Sequence, residues 1–213
     1  MVSKKINNVI FDFDGTIAMT MKTVYDIYGE KADKYGFKKI DGSRVEELKK
    51  LSAKEFVGYL GIKESDFLSI HKEIMGELQD RMGRVEIKEG LMEVIEELKV
   101  SGIRVGIVTS NLKESVENFL NSHRITAFEY VEADKNLWEK GARLNEVISK
   151  NGWNKEEVVY VGDESRDVEA AKVAGIKIIS VSWGYEARRN LEEAGANWVV
   201  DGPEEIKEII LGN

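Results

Sequence analysis

The chain has 213 residues, of which 42% are hydrophobic, with a formal net charge of -8 and no cysteine. That length admits one large domain or a domain carrying a sizeable insertion. The missing cysteines exclude disulfides and thiolate metal sites, the acidic balance argues against a general nucleic-acid surface, and no apolar run approaches the ~20 residues needed to cross a bilayer.

Residues 1–6 lack the apolar stretch and small-residue cleavage site of a signal peptide, so a soluble, cytoplasmic protein is expected. The first element is a strand over Asn8 to Phe11, which runs into Asp12, Phe13, Asp14, Gly15 and Thr16. In extended chain, Asp12 and Asp14 point to the same side. Their mutual repulsion raises the pKa of one of them unless a positive charge intervenes. With oxygen donors only and no Cys or His nearby, a hard divalent ion such as magnesium fits. An ordinary acidic surface turn would not need both acids directly after a buried strand.

From about Ala18 to about Val85 no strand is expected. Val45, Leu48 and Leu51, then Phe67, Ile70, Ile74 and Leu78, recur at helical spacing, so this stretch reads as a helical insertion after the first strand. Thereafter strands and helices alternate. A helix through Leu91, Val94, Ile95 and Leu98 stops at Ser101-Gly102, and a strand covers Arg104 to Thr109. Short strands are expected over Glu129 to Val131, Val158 to Val161, Lys177 to Val181 and Trp198 to Val200. Helices lie between them, one through Leu144, Val147 and Ile148 and one from near Ser165 to Gly175. Such alternation implies a parallel sheet covered by helices on both faces. Its ligands bind at the carboxyl ends of the strands, where an insertion after the first strand would act as a lid.

Three later positions return to that edge. Thr109, Ser110 and Asn111 follow the second strand and offer hydroxyls and amides to phosphate oxygens, although the same three residues also suit a turn or helix cap. Lys140 stands near a helix start, unfavourable for the helix dipole and so suggestive of a task, with Lys135 as the competing lysine. Gly162-Asp163 repeats the strand-then-acid design and is followed by Glu164 and Asp167. Asp163 could also be a helix cap, and Asp167 a first-turn acid favoured by the dipole.

Taken together, Asp-x-Asp-Gly-Thr, strand-Thr, Lys and Gly-Asp-x-x-x-Asp resemble the haloacid-dehalogenase-like (HAD) superfamily over nearly the whole chain, and within it the phosphoglycolate-phosphatase-like hydrolases. The resemblance implies an α/β, Rossmann-like core over residues 1–17 and 86–213, with a C1-type helical cap over residues 18–85. It also implies a magnesium-dependent phosphatase acting on a small phosphorylated metabolite through an aspartyl-phosphate. By that resemblance Asp12 is the nucleophile and Asp14 the acid/base. Magnesium is held by Asp12, the Asp14 backbone carbonyl and Asp163, with Asp167 nearby. Thr109, the Ser110 amide and Lys140 bind the phosphoryl group, and Thr16 braces the loop and orients Asp14.

Departures from the pattern are Lys140-Gly141 where many relatives have Lys-Pro, the order Asp163-Glu164 where mutase-like members have Glu-Asp, and Ala18-Met19-Thr20 where many carry Asp-Ser. A sugar phosphomutase and a non-catalytic phosphate- or partner-binding module are the other readings. Neither nucleic acid nor membrane is expected as partner, and the protein is expected to be a monomer or homodimer. Arg44, Lys54, Arg81 and Arg84 are polar candidates for substrate contact from the insertion.

Overall fold

The computed structural model describes residues 5–40, 44–51, 53–133 and 139–212. Six strands form one parallel sheet: β1 (Asn8–Phe11), β2 (Arg104–Thr109), β3 (Val131–Ala133), β4 (Val158–Gly162), β5 (Lys177–Val181) and β6 (Trp198–Val200). Their spatial order is β3-β2-β1-β4-β5-β6. The chain builds outward from β1 on one side and then crosses to begin again at β4. Ligand crevices form where strand order reverses in this way, between the ends of β1 and β4. The register there aligns Phe11 with Val161, so the residues just past each strand, Asp12 and Asp163, emerge at the same edge.

Alternation along the strands divides the core into two layers. Val9, Phe11, Val105, Ile107, Val159 and Val161 pack on one face beneath α5 (Leu91–Val100) and α10 (Pro203–Leu211), whose Leu91, Val94, Ile95, Ile206 and Ile210 are buried. On the other face Ile10, Val108, Tyr160 and Ile178 meet Leu144, Val147 and Ile148 of α7 (Lys140–Lys150) and Val168 and Ala171 of α8 (Ser165–Ala174). Two further helices, α6 (Lys113–Ser122) and α9 (Arg188–Glu193), complete the covering.

The third strand differs from expectation. The ladder runs over Val131–Ala133, two residues later than Glu129 to Val131, although Glu129 N already donates to Val105 O (2.9 Å) and Ile107 N to Tyr130 O (3.0 Å). Regular pairing starts only after Tyr130, whose ring lies so close over Gly106 of β2 that a Cβ there would collide with it.

Between β1 and α5 stand α1 (Thr20–Tyr35), α2 (Val45–Leu48), α3 (Ala53–Leu60) and α4 (Glu64–Arg81), followed by a 3-10 turn at Met82–Arg84. Val24, Ile27, Tyr28 and Ala32 of α1 and Ile70, Ile74 and Leu78 of α4 supply the apolar stripes that pack these helices. Ion pairs Lys31–Glu77 (2.6 Å), Lys34–Glu73 (2.8 Å) and Arg81–Glu30 (2.6 Å) stitch α1 to α4 along the surface. The segment leaves and returns at one place: Met19 N donates to Glu86 O (2.8 Å) and Lys88 N to Ile17 O (2.9 Å). It is also strapped to the loop after β5, for Lys49 Nζ donates to Ser182 O (3.1 Å) and Ala187 N to Lys49 O (3.2 Å). Among the described residues no helix is long and apolar enough to cross a membrane.

Candidate active site

Asp12 follows β1 directly, and its amide donates to Val161 O on β4 (2.7 Å), which continues the pairing by one residue and fixes where the carboxylate emerges. The chain then turns back on itself. Gly15 sits at φ 76°, a conformation open to glycine, and Ile17 N and Ala18 N both donate to Phe13 O. This turn gathers Asp12, Asp14 and Thr16 at the carboxyl end of β1.

Lys140, the first residue of α7, is 5% exposed and donates to Asp12 Oδ2 (2.9 Å) and to Asp167 Oδ1 (2.6 Å). Its ammonium also lies 5.8 Å above the Tyr160 ring of β4, whose hydroxyl is anchored on Val108 O (3.1 Å). The other oxygen of Asp167 accepts the amides of Asp163 (3.1 Å) and Glu164 (3.0 Å). Gly141 explains the departure from Lys-Pro: a side chain there would strike Val173 and Ala170 O of α8, so the glycine lets α7 and α8 approach and brings Lys140 down onto Asp167.

Asp163 is fully buried. Its Oδ1 accepts from the Thr16 hydroxyl (2.9 Å) and its Oδ2 from the Tyr185 amide (2.7 Å). Gly15 and Gly184 form the walls of this seat, since a Cβ on either would collide with the carboxylate. The loop is pinned further by Trp183 Nε1, which donates to Thr16 O (3.0 Å). We therefore expect Gly184→Ala to lower stability by about 1–3 kcal/mol, the usual cost of overpacking. The urea unfolding midpoint reads it, and an unchanged midpoint would contradict so tight a seat.

Asp14 Oδ2 accepts from the Asn111 amide (2.8 Å), and Asn111 is itself held by its backbone amide on Thr109 Oγ1 (3.1 Å) and by Leu112 N on its Oδ1 (2.6 Å). One expected role therefore changes. Thr16 donates to Asp163 rather than to Asp14, because the turn at Gly15 carries its hydroxyl toward β4. Asn111 meets Asp14 because the turn closed by Thr109 aims its side-chain amide inward. Thr109 is buried and Ser110 half-buried at the same edge. Lys135 lies outside the described residues, as does the Lys54 side chain. Arg81 is committed to Glu30 and Glu77, Arg44 pairs with Glu47 (2.8 Å), and Arg84 is exposed.

One ligand atom each from Asp12, Asp163 and Asp167 lies within 4.8 Å of the others. Burial pushes Asp12 up to about 6 against the pull of Lys140, and burial together with the Asp12 charge pushes Asp14 up to about 6. Asp163 is driven well above the usual carboxylate range by burial and then by the charges of Glu164, Asp167 and Asp12. Burial opposes the charge of Lys140, but Asp12 and Asp167 outweigh it and hold the lysine protonated. Asp12 Oδ1 and Asp14 Oδ1 are buried and make no hydrogen bond. Five carboxylates thus face two cations, Lys140 and Arg166, and two carboxylate oxygens are orphaned. An oxygen-only set with surplus negative charge fits a hard divalent cation, and each Asp163 oxygen keeps a lone pair for it. Sequence reasoning passed over Arg166, and it gave Thr20 and Tyr185 no place beside Asp14. Thr20 Oγ1 and Tyr185 OH meet at 3.1 Å close to Asp14, and Arg166 lies inside the Gly162-to-Asp167 motif, where only the acids had drawn notice.

A family model described as haloacid dehalogenase-like hydrolase matches residues 9–181. A phosphoglycolate phosphatase from Synechococcus elongatus is 28% identical over 203 residues, covering 95% of this chain and 96% of that protein. Pyrophosphatase PpaX from Bacillus mycoides is 25% identical, with 97% of each covered. Among solved structures, a protein described as a predicted phosphatase from Clostridium acetobutylicum superposes with a TM-score of 0.81 at 20% identity, over 99% of this chain and all of that one.

Proposed function

Because the chain belongs to the haloacid dehalogenase-like hydrolase family, we propose that it is a magnesium-dependent phosphatase working through an aspartyl-phosphate on a small phosphorylated metabolite. The observation that carries this reading is the pair of half-held acids. Asp12 and Asp14 each have one oxygen fixed by a neighbour and the other buried without a partner. In the proposed reaction Asp12 Oδ1 attacks phosphorus, and the bond to the leaving oxygen breaks as that oxygen takes a proton from Asp14. Water then attacks the aspartyl-phosphate and gives its proton to Asp14, so phosphate departs and both acids return to their starting states. Lys140 orients Asp12 and offsets phosphoryl charge with Thr109 and the Ser110 amide.

A divalent cation would be held by Asp12, the Asp14 carbonyl and Asp163, with Asp167 beside it. It would neutralise phosphoryl oxygens and let the two acids coexist. Residues 18–85 serve as the cap over the site. The named relatives act on phosphoglycolate and, by name, on pyrophosphate. Both compounds carry a second anionic group beside the transferred phosphoryl, and we extend that class to this chain.

Treatment with EDTA is expected to abolish phosphate release and magnesium to restore it. Magnesium at 100 times its Kd is expected to stabilise the fold by about 2.7 kcal/mol, visible as a higher melting temperature without any substrate. Release undiminished by EDTA would overturn the metal assignment. Absence of release from a broad phosphate-ester panel, with Asp12→Asn matching wild type, would overturn the phosphatase reading.

A further inference from the structure

Arg166 belongs to no step above, yet it stands beside the acidic cluster of Asp12, Asp163 and Asp167. It occupies the first turn of α8, between Asp163 at the end of β4 and Asp167, whose carboxylate holds Lys140. Its Nε donates to Glu164 Oε2 (2.7 Å) and its Nη2 reaches the same oxygen. Nη1 has no partner among the described residues. The side chain keeps 38% of its surface accessible, while nearly everything around it is buried: Asp12 is 2% exposed, Asp163 and Asp167 0%, and Lys140 5%.

Electrostatics agree with that position. Burial raises Asp12 and Asp14, and the guanidinium charge pulls in part against that rise. His71 of α4 is held below the usual imidazole range by burial first and by Arg166 second. Its Nδ1 is within 3.3 Å of Tyr28 OH, and its ring stacks on Phe67 at 5.4 Å. The guanidinium charge thus acts both on the acids of the core and on α4 of the helical insertion. Glu164 holds it by one edge and leaves the other edge open, the fork geometry that suits a planar anion.

We propose that Arg166 is a specificity-determining residue that binds the second anionic group of the substrate, a carboxylate or a second phosphoryl, through the edge of its guanidinium not held by Glu164. This rests on the phosphatase reading. Asp12 and Lys140 take the transferred phosphoryl, and Arg166 takes the far end. Glu164 keeps the guanidinium from collapsing onto Asp12 and Asp14.

The test compares kcat/KM for 2-phosphoglycolate, inorganic pyrophosphate and ethyl phosphate in wild type, Arg166→Gln and Arg166→Lys, with melting temperatures recorded for each. In Arg166→Gln the preference for the doubly anionic substrates over ethyl phosphate is expected to fall by about tenfold to a hundredfold, mainly through KM, as for loss of a hydrogen bond to a charged group. Arg166→Lys is expected to retain part of the preference, having the charge without the fork. A preference lost for phosphoglycolate alone would identify the partner as a carboxylate, and one lost for pyrophosphate alone as a phosphoryl. If all three substrates decline equally, or if both variants keep the wild-type preference, Arg166 does not bind the far end. If wild type hydrolyses neither doubly anionic substrate, this inference is overturned, while the phosphatase reading stands or falls separately on the broader ester panel.

Discussion

Asp12→Asn is expected to lower phosphate release by about 10^5-fold or more, since the proposed mechanism makes Asp12 the covalent nucleophile and its loss would remove a whole reaction channel. The amide is nearly isosteric and still offers an oxygen to Lys140, so positioning survives while nucleophilicity does not. Stability should hold or rise, because one of several crowded buried carboxylates becomes neutral and Lys140 keeps its 2.6 Å bond to Asp167. Loss of activity with an unchanged or higher melting temperature would separate chemistry from folding. Residual activity within tenfold of wild type would remove Asp12 from the reaction.

Lys140→Met carries the largest expected cost in stability. It keeps the length of the stem but strips Asp12 and Asp167 of their shared cation inside the protein. Breaking a buried ion pair by deleting one partner typically costs about 3–5 kcal/mol. The protein can lessen that cost by protonating Asp12, whose carboxyl burial already pushes up to about 6, but a protonated Asp12 is no nucleophile. The variant is therefore expected to pay either in folding or in catalysis. Urea unfolding together with phosphate release at pH 7 checks it. A variant as stable and as active as wild type would show that Lys140 is a bystander to both acids.

Much of this arrangement was legible before any coordinates. Strand ends followed by acids drew notice to Asp12 and Asp163, because two buried apolar runs that each stop at a charge on the same sheet edge place those charges together, and helical punctuation located the parallel sheet. Lys140 stood out because its place at a helix start opposes the dipole. What could not be read were partnerships that depend on how loops fold. Thr16 reaches Asp163 across 147 positions of sequence, and the Tyr185 amide reaches it across 22. No periodicity encodes such pairings. The third strand slipped for a similar reason: Tyr130 belongs to an apolar run and its carbonyl accepts from Ile107 N, yet its ring covers Gly106 and regular pairing begins only after it. Arg166 was overlooked because an arginine on a first helical turn looks solvated until its neighbours are seen to be buried.

The joint at Met19–Glu86 and Ile17–Lys88 has a bearing on ancestry as well as on architecture. Where both ends of a segment are already clasped, a change in its length costs little in chain closure, about 0.6 kcal/mol for each doubling. Turns and loops of the insertion away from its packed stripes can be lengthened or trimmed while the acids below the joint keep their register. The strap from Lys49 to the loop after β5 is the counterweight, for that loop also seats Asp163 and ties the insertion's history to that of the site.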